Sequence, residues 1–174
     1  MDLKRWINPN KNLKAQLLYR LSENGEKYET FHELCDKKGP TLTLFHIKEN
    51  GDKIGIYTPL SWDKNNYNKE DMETFIFNLR KKKKYQKVTP ENLIYCRNDC
   101  GPYTGKYFDC NPKGNYNSMK FIYCDNRSYT DNYQTKYYLD PIYEKGHEIL
   151  SIYSKSEDQC FELIEAEVFK IIIE

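Results

Sequence analysis

The sequence has no long apolar run. Its longest aliphatic stretch, Ile171 to Ile173, spans three residues, far short of the ~20 that a membrane-crossing helix needs. No apolar segment follows the charged start Met1-Asp2-Leu3-Lys4-Arg5, so an export signal is not expected. A surplus of one charge is missing too. With 27 Lys and Arg against 26 Asp and Glu, the net charge is +1, which provides no global field to collect nucleic acid or anionic lipid. Six cysteines without an export signal point to thiols in a reducing compartment rather than a disulfide framework. The expectation is a cytoplasmic chain with no transmembrane segment, at most peripherally associated with a membrane.

What is present suits a single globular core. A length of 174 residues is one-domain size. Sixteen tyrosines help hold the mean hydropathy at −0.90, yet 15% aromatics is far from the composition of disordered chains. Residues 1–12 read as a polar arm or short helix, followed by a single domain over 13–174. Gln16 to Leu21 reads as a strand, although so short a run also fits a helix. Ser22-Glu23-Asn24-Gly25 reads as a turn, and Tyr28, Phe31, Leu34 and Cys35 as the apolar stripe of a helix over about 26–36. Gly39 suits a left-handed cap for that helix, and Pro40 stops it.

Thr41 to Ile47 and Lys53 to Thr58 are β-rich, and Asn50-Gly51 between them is a strong hairpin signal, with positive φ expected at both residues. Met72, Phe75, Ile76 and Leu79 recur at helical spacing, which predicts a second helix. Asn68 would cap it, Glu70 and Asp71 would lie at its start, and Lys81 to Lys84 would complement its negative end. Beyond Pro90, short β runs recur between turn residues: Leu93 to Cys96, Lys106 to Phe108, Met119 to Cys124, Lys136 to Leu139, Glu148 to Tyr153. Cys160 to Ile172 is ambiguous: Leu163, Val168 and Ile171 nearly fit a helix, but the β-branched content favours a closing strand. Two early helices and many short strands describe an α+β domain built on a sandwich.

Four stretches, taken together, resemble a TLDc domain. They are Leu17 to Arg20 with Asn24-Gly25; Phe31-His32 running on through Cys35 to Thr43; Gly55-Ile56-Tyr57-Thr58 with Trp62; and Phe75 to Leu79. Gly101-Pro102-Tyr103-Thr104-Gly105 resembles the family's Gly-Pro-x-aromatic-Gly turn, and Glu165 to Lys170 its terminal strand. The resemblance runs from about residue 13 to 171 in the family's order. It departs at Ile56, where the family commonly has a second glycine, at Thr104, where it has an aromatic, and over 111–146, which matches loosely. The resemblance implies a two-sheet antiparallel β-sandwich flanked by a few α-helices, with no established catalytic centre. It also implies protection from oxidative stress and binding to the V-ATPase, with regulation of its peripheral-sector assembly.

Candidate chemistry outside that resemblance is sparse. Cys96, Cys100, Cys110 and Cys124 could form a zinc set, but only Cys96-x₃-Cys100 has the close spacing such sites prefer. Core packing suits strand-end cysteines better, and neither a metal nor a cofactor is expected. Cys100, in a loop beside Asp99 with Arg97 near, is the best candidate for a redox-active thiol. His32 lies three residues before Cys35, yet a nucleophile–base pair needs an orienting group and an oxyanion site that nothing here supplies. His32 therefore reads as a helix-surface residue, and His46 and His147 complete the histidines. Glu165 and Glu167 would share one strand face, as a solvated or partner-facing edge. Arg80 followed by Lys81, Lys82, Lys83 and Lys84 is the one dense charge run. It suits an acidic protein partner better than sequence-specific nucleic-acid binding. The expected function is a non-catalytic interaction domain whose protein contact includes Lys81 to Lys84. Alternatives are a redox-active thiol protein and a trafficking or scaffold adaptor with another partner.

Overall fold

A computed structural model describes residues 2–65, 67–88, 94–104, 108–109, 118–124, 128–131, 134–137, 144, 146–149 and 159–174. In chain order these form helix α1 (Asp2–Ile7), strand β1 (Leu13–Arg20), the one-turn helix α2 (Leu21–Asn24) and helix α3 (Tyr28–Cys35). Strands β2 (Thr41–Ile47), β3 (Lys53–Thr58), β4 (Tyr67–Lys69), β5 (Phe75–Asn78) and β6 (Lys83–Gln86) follow. Then come β7 (Ile94–Cys96), β8 (Tyr103–Thr104), β9 (Phe108–Asp109), β10 (Phe121–Cys124), β11 (Ser128–Asp131) and β12 (Gln134–Tyr137). A 3-10 turn at Gly146–Ile149 precedes the long β13 (Gln159–Ile173).

The strands make an antiparallel α+β sandwich. One sheet runs β1–β13–β2–β3–β5–β6 and the other β4–β7–β8–β9–β10, and β13 belongs to both. Among the described strands, β11 and β12 pair with each other alone. Between the sheets lies the main core, with Tyr19, Phe31, Phe45, Ile54, Trp62, Ile76, Tyr85, Ile94, Ile122 and Val168 buried together. Helix α3 contributes Tyr28, Phe31 and Cys35 to this core, as its stripe predicts. A smaller apolar layer covers the other face of the first sheet. There Leu3 of α1, with Trp6 and Ile7, meets Leu42, Tyr57, Phe75, Phe77 and Ile171.

Several expectations are corrected. Residues 75–79 are not helical. Phe75, Ile76, Phe77 and Asn78 are all buried in β5, with Phe75 and Phe77 facing the α1 layer and Ile76 the main core. A strand covered on both faces has no polar face, so its short apolar run mimics helical spacing. Asn68 accordingly lies in β4 and Lys83 and Lys84 in β6, not at helix ends. The α3 terminus uses Lys37, at φ +59, as its left-handed residue instead of Gly39. Glu148 and Ile149 sit in the 3-10 turn, not a strand, and residues 150–153 lie outside those described. β1 begins at Leu13, earlier than its apolar pattern suggests, because pairing to β13 holds polar residues in the strand.

The β2–β3 hairpin forms in the expected place with a different turn. Ile47 N–H donates to the Asp52 carbonyl at 2.9 Å, and Gly51 N–H to the Ile47 carbonyl at 2.9 Å. Only Gly51 has positive φ, +69, while Asn50 accepts the Asp52 N–H on its side chain at 2.9 Å. This is a four-residue loop closed by a left-handed glycine, not a two-residue turn.

Gly55, central in β3, is required by close approach. A Cβ there would stand 2.2 Å from the Thr43 carbonyl oxygen and 2.5 Å from the Phe77 ring. Gly55→Ala is therefore expected to lower unfolding free energy by about 1–3 kcal/mol, the range for overpacking. Gly51 has nothing within 4 Å of such a Cβ, so Gly51→Val should cost only the left-handed backbone penalty, ~1–2 kcal/mol. Denaturant titration of both variants measures the difference.

Candidate functional site

The basic run lies at the β5–β6 hairpin, where the turn 79–82 brings the chain back at Lys83. Lys82 takes φ +52 and its N–H donates to the Leu79 carbonyl at 3.2 Å. Asn78, fully buried, fixes this turn: Oδ1 accepts from Lys81 N–H at 2.9 Å, and Nδ2 donates to the Ile149 carbonyl at 2.7 Å. Arg80 reaches across to the β2–β3 loop, donating to the Asn50 carbonyl at 3.1 Å and to Asp52 Oδ1 at 3.3 Å. Asp52 is itself fully buried, so the two hairpin ends are joined through a carboxylate shielded from water.

The four lysines divide by what they touch. Lys81 donates to the Glu148 carbonyl at 2.5 Å, and Lys83 pairs with the Glu148 carboxylate. Lys84 Nζ stands 4.5 Å from the Phe75 ring centroid and 3.3 Å from the Trp6 carbonyl oxygen, a cation–π arrangement that also braces α1. Burial lowers the Lys84 ammonium from the usual lysine range. It lowers Lys81 too, against the opposing pull of Asp52 and Glu148. Among the described residues Lys82 is exposed and its ammonium meets no acid. The structure thus leaves Lys82 at the tip as the outward cation and turns Lys81, Lys83 and Lys84 back onto the protein. Beside Lys84 a groove of about 350 Å³ is lined by apolar Trp6, Ile7 and Met72 together with polar Asn8, Glu73 and Gln86, with Met72 48% exposed.

The thiol and imidazole candidates are placed differently from the sequence expectation. Cys100 is 1% exposed, not an open loop thiol. Arg97, its expected activating cation, is engaged by Asp99 through two bonds of 2.8 and 2.6 Å, and holds the Asp99 carboxyl below its usual range. His32 is 7% exposed and is not on the helix surface. Its ring nitrogens hydrogen-bond Asp36 Oδ1 at 2.9 Å and the Cys100 carbonyl oxygen at 3.1 Å, tying α3 to the segment after β7. The ring therefore serves Asp36 and Cys100 instead of the Cys35 thiol. Burial, with Asp36 adding to it, pushes that thiol well up, the reverse of nucleophile activation. Burial also raises the Cys96 thiol, against a smaller opposing effect of Lys69. Cys110 lies outside the described residues, so the four-cysteine set is not testable as a whole. Among the described residues no three His, Cys, Asp or Glu side chains converge to hold a metal ion.

Glu165 and Glu167 do share a face, but they turn onto their own chain. Glu165 accepts from Ser22 N–H at 3.1 Å and Ser22 Oγ at 2.5 Å, and Glu167 accepts from Arg20 Nε at 2.9 Å. Sequence reasoning missed Asp52 and Glu148, which organise the basic hairpin. Asp52 reads as an ordinary turn residue, and Glu148 lies 65 residues from Lys83, so no local pattern links them.

The family model for the TLDc domain matches residues 1–172, essentially the whole chain. No curated protein matches the sequence.

Two outcomes follow from this geometry. Asn78→Ala leaves the Ile149 carbonyl and Lys81 N–H without their buried partner, and should cost about 1–3 kcal/mol in a denaturant melt. In native-state alkylation mapped by mass spectrometry, the exposed Cys160 should react before Cys35, Cys96 and Cys100. Cys35, Cys96 and Cys100 should react only on unfolding.

Proposed function

This chain belongs to the TLDc domain family, and we propose that it is a non-catalytic protein-interaction domain that binds peripheral-sector subunits of the V-ATPase in the cytoplasm. In this reading it regulates assembly of that sector and contributes through it to oxidative-stress protection. The observation that carries the reading is the family match over residues 1–172. The association of such domains with the proton pump supplies the partner.

The basic hairpin and the adjoining groove suit a partner segment that carries acids next to apolar side chains. Lys82 would meet an acid from solvent, while the exposed Met72 at the groove would meet an apolar side chain. Lys81, Lys83 and Lys84 would act mainly by holding the hairpin and α1 in place, because their ammonium groups already meet Glu148, Phe75 and Trp6. No described helix is long and apolar enough to cross a membrane.

A pull-down with the full chain tests the reading. Peripheral-sector subunits should enrich over an unrelated control of equal charge, and less so as salt rises. Lys82→Glu should weaken association up to about fivefold, the scale of one exposed ion pair, mostly through the encounter rate. Its fold should shift by no more than ~0.5 kcal/mol. Absence of pump subunits from the enriched set would remove the proposed partner.

A further inference from the structure

β1 lies at the edge of its sheet, and its backbone register shows which groups face outward. Asn12 and Glu174 exchange both backbone bonds, at 3.0 and 2.9 Å, so they form a hydrogen-bonded pair. The register from Leu13 opposite Ile173 to Leu17 opposite Phe169 is continuous. Antiparallel pairs alternate between bonded and non-bonded, so Lys14 and Gln16 bond to β13, while Leu13, Ala15 and Leu17 point their N–H and C=O groups away from it. On the far side of β13, Ile171 N–H donates to the Pro40 carbonyl at 2.9 Å, which confirms the same parity.

The outward groups are open to a partner. Among the described strands, β1 pairs only with β13. Lys14, Ala15, Gln16 and Leu17 are exposed, Leu17 by 37%, and the neighbouring Ile173 by 41%. The open stretch ends at a β-bulge between Leu17 and Tyr19. Beyond it the Arg20 N–H is capped by Asn24 Oδ1 at 2.8 Å. A short free edge closed at one end by a bulge and a cap accepts a strand of defined length.

We propose that this edge pairs with β1 of a second copy of the chain, antiparallel and centred on Ala15. The sequence is complementary to itself in that register and in its polarity. Leu13 stands opposite the second copy's Leu17, Ala15 opposite Ala15, and Lys14 opposite Gln16. All three outward-facing residues then form hydrogen-bonded pairs, and apolar side chains meet apolar ones on one face. Lys14, whose ammonium also pairs with Glu174 of its own chain at 2.7 Å, meets an amide and not another lysine, so no like charges oppose. A two-fold axis through Ala15 makes the contact isologous and closed, which limits assembly to a dimer. A one-residue slip would put a bonded residue opposite an open one and break both the ladder and the face matching.

Sedimentation velocity on the whole chain, from micromolar to millimolar concentration, reads the association. The wild type should show a reversible monomer–dimer equilibrium. Gln16→Glu places a carboxylate opposite Lys14 twice by symmetry, and should tighten the dimer roughly threefold to tenfold at low salt. Gln16→Lys should weaken it by a similar factor, and salt should shrink both effects. Ala15→Pro removes an outward N–H without removing a β13 bond, and should abolish dimerisation. If that variant fails to fold, the opposite responses at Gln16, an exposed position, still decide. A wild type monomeric throughout overturns the proposal. So does a dimer whose affinity ignores both the sign of charge at residue 16 and, where it folds, proline at residue 15.

Discussion

Both sheets depend on β13. Its start pairs with β10, its middle with β2 and then with β2 and β1 together, and its end with β1. One strand serving two sheets must keep its apolar residues facing the space between them while the sheets diverge, and a strand of strict period two cannot do so through the bend. The extra residue at Ile164 solves this. Before it, Phe161 and Leu163 face the main core; after it, Ala166 and Val168 do. The parity change is what a bulge produces. Ile164 itself is left 53% exposed, as the unpaired residue of a bulge should be. The same change sends Glu165 and Glu167 to the opposite face, where Ser22 and Arg20 receive them. A core requirement at residue 164 thereby sets which surface carries the acidic pair.

Several charged side chains among the described residues are engaged within the fold. Arg20 spans Glu23 and Glu167, Lys48 and Lys120 both reach Glu162, and Arg80 meets the buried Asp52. Exposed pairs of this kind contribute little stability individually, ~0–1 kcal/mol, but they decide which ions remain for a partner. A dense basic run therefore overstates the field it projects. Within the basic run, Lys83 meets the Glu148 carboxylate while Lys82, left-handed at the turn, is exposed and meets no acid among the described residues.

What the sequence made legible follows from how local each signal is. The α3 stripe, the β2–β3 hairpin and the closing strand each rest on a few adjacent residues, and each is found in place. Residues 75–79 were misread because burial on both faces of β5 erases the alternation that marks a half-buried strand. His32 was misread because its burial depends on Cys100, 68 residues away. At the basic hairpin the residue types were legible but their occupancy was not, since Glu148 and Trp6 arrive from distant segments. Asn50 was expected in a left-handed conformation, but its side chain caps the turn instead and leaves that conformation to Gly51.

The free β1 edge and the basic hairpin lie at opposite ends of one sheet, β1 at one edge and β6 at the other. Pairing two copies through β1 would continue the sheet across the two-fold axis and place the basic hairpins at its far ends, with both main cores untouched. Each hairpin would remain open to its own partner segment, so the assembly would be bivalent without any rearrangement of the domain. Bivalence raises apparent affinity only where both contacts can be made at once. A pairwise contact of micromolar strength could then discriminate an assembled target presenting two copies of an epitope from its dissociated subunits. Because the spacing between hairpins is carried by a hydrogen-bonded sheet and not a flexible linker, it is a fixed distance, and a target would have to match it. The edge strand and the hairpin thus place different demands on the sequence: self-complementarity at 13–17, and an unengaged cation at 82.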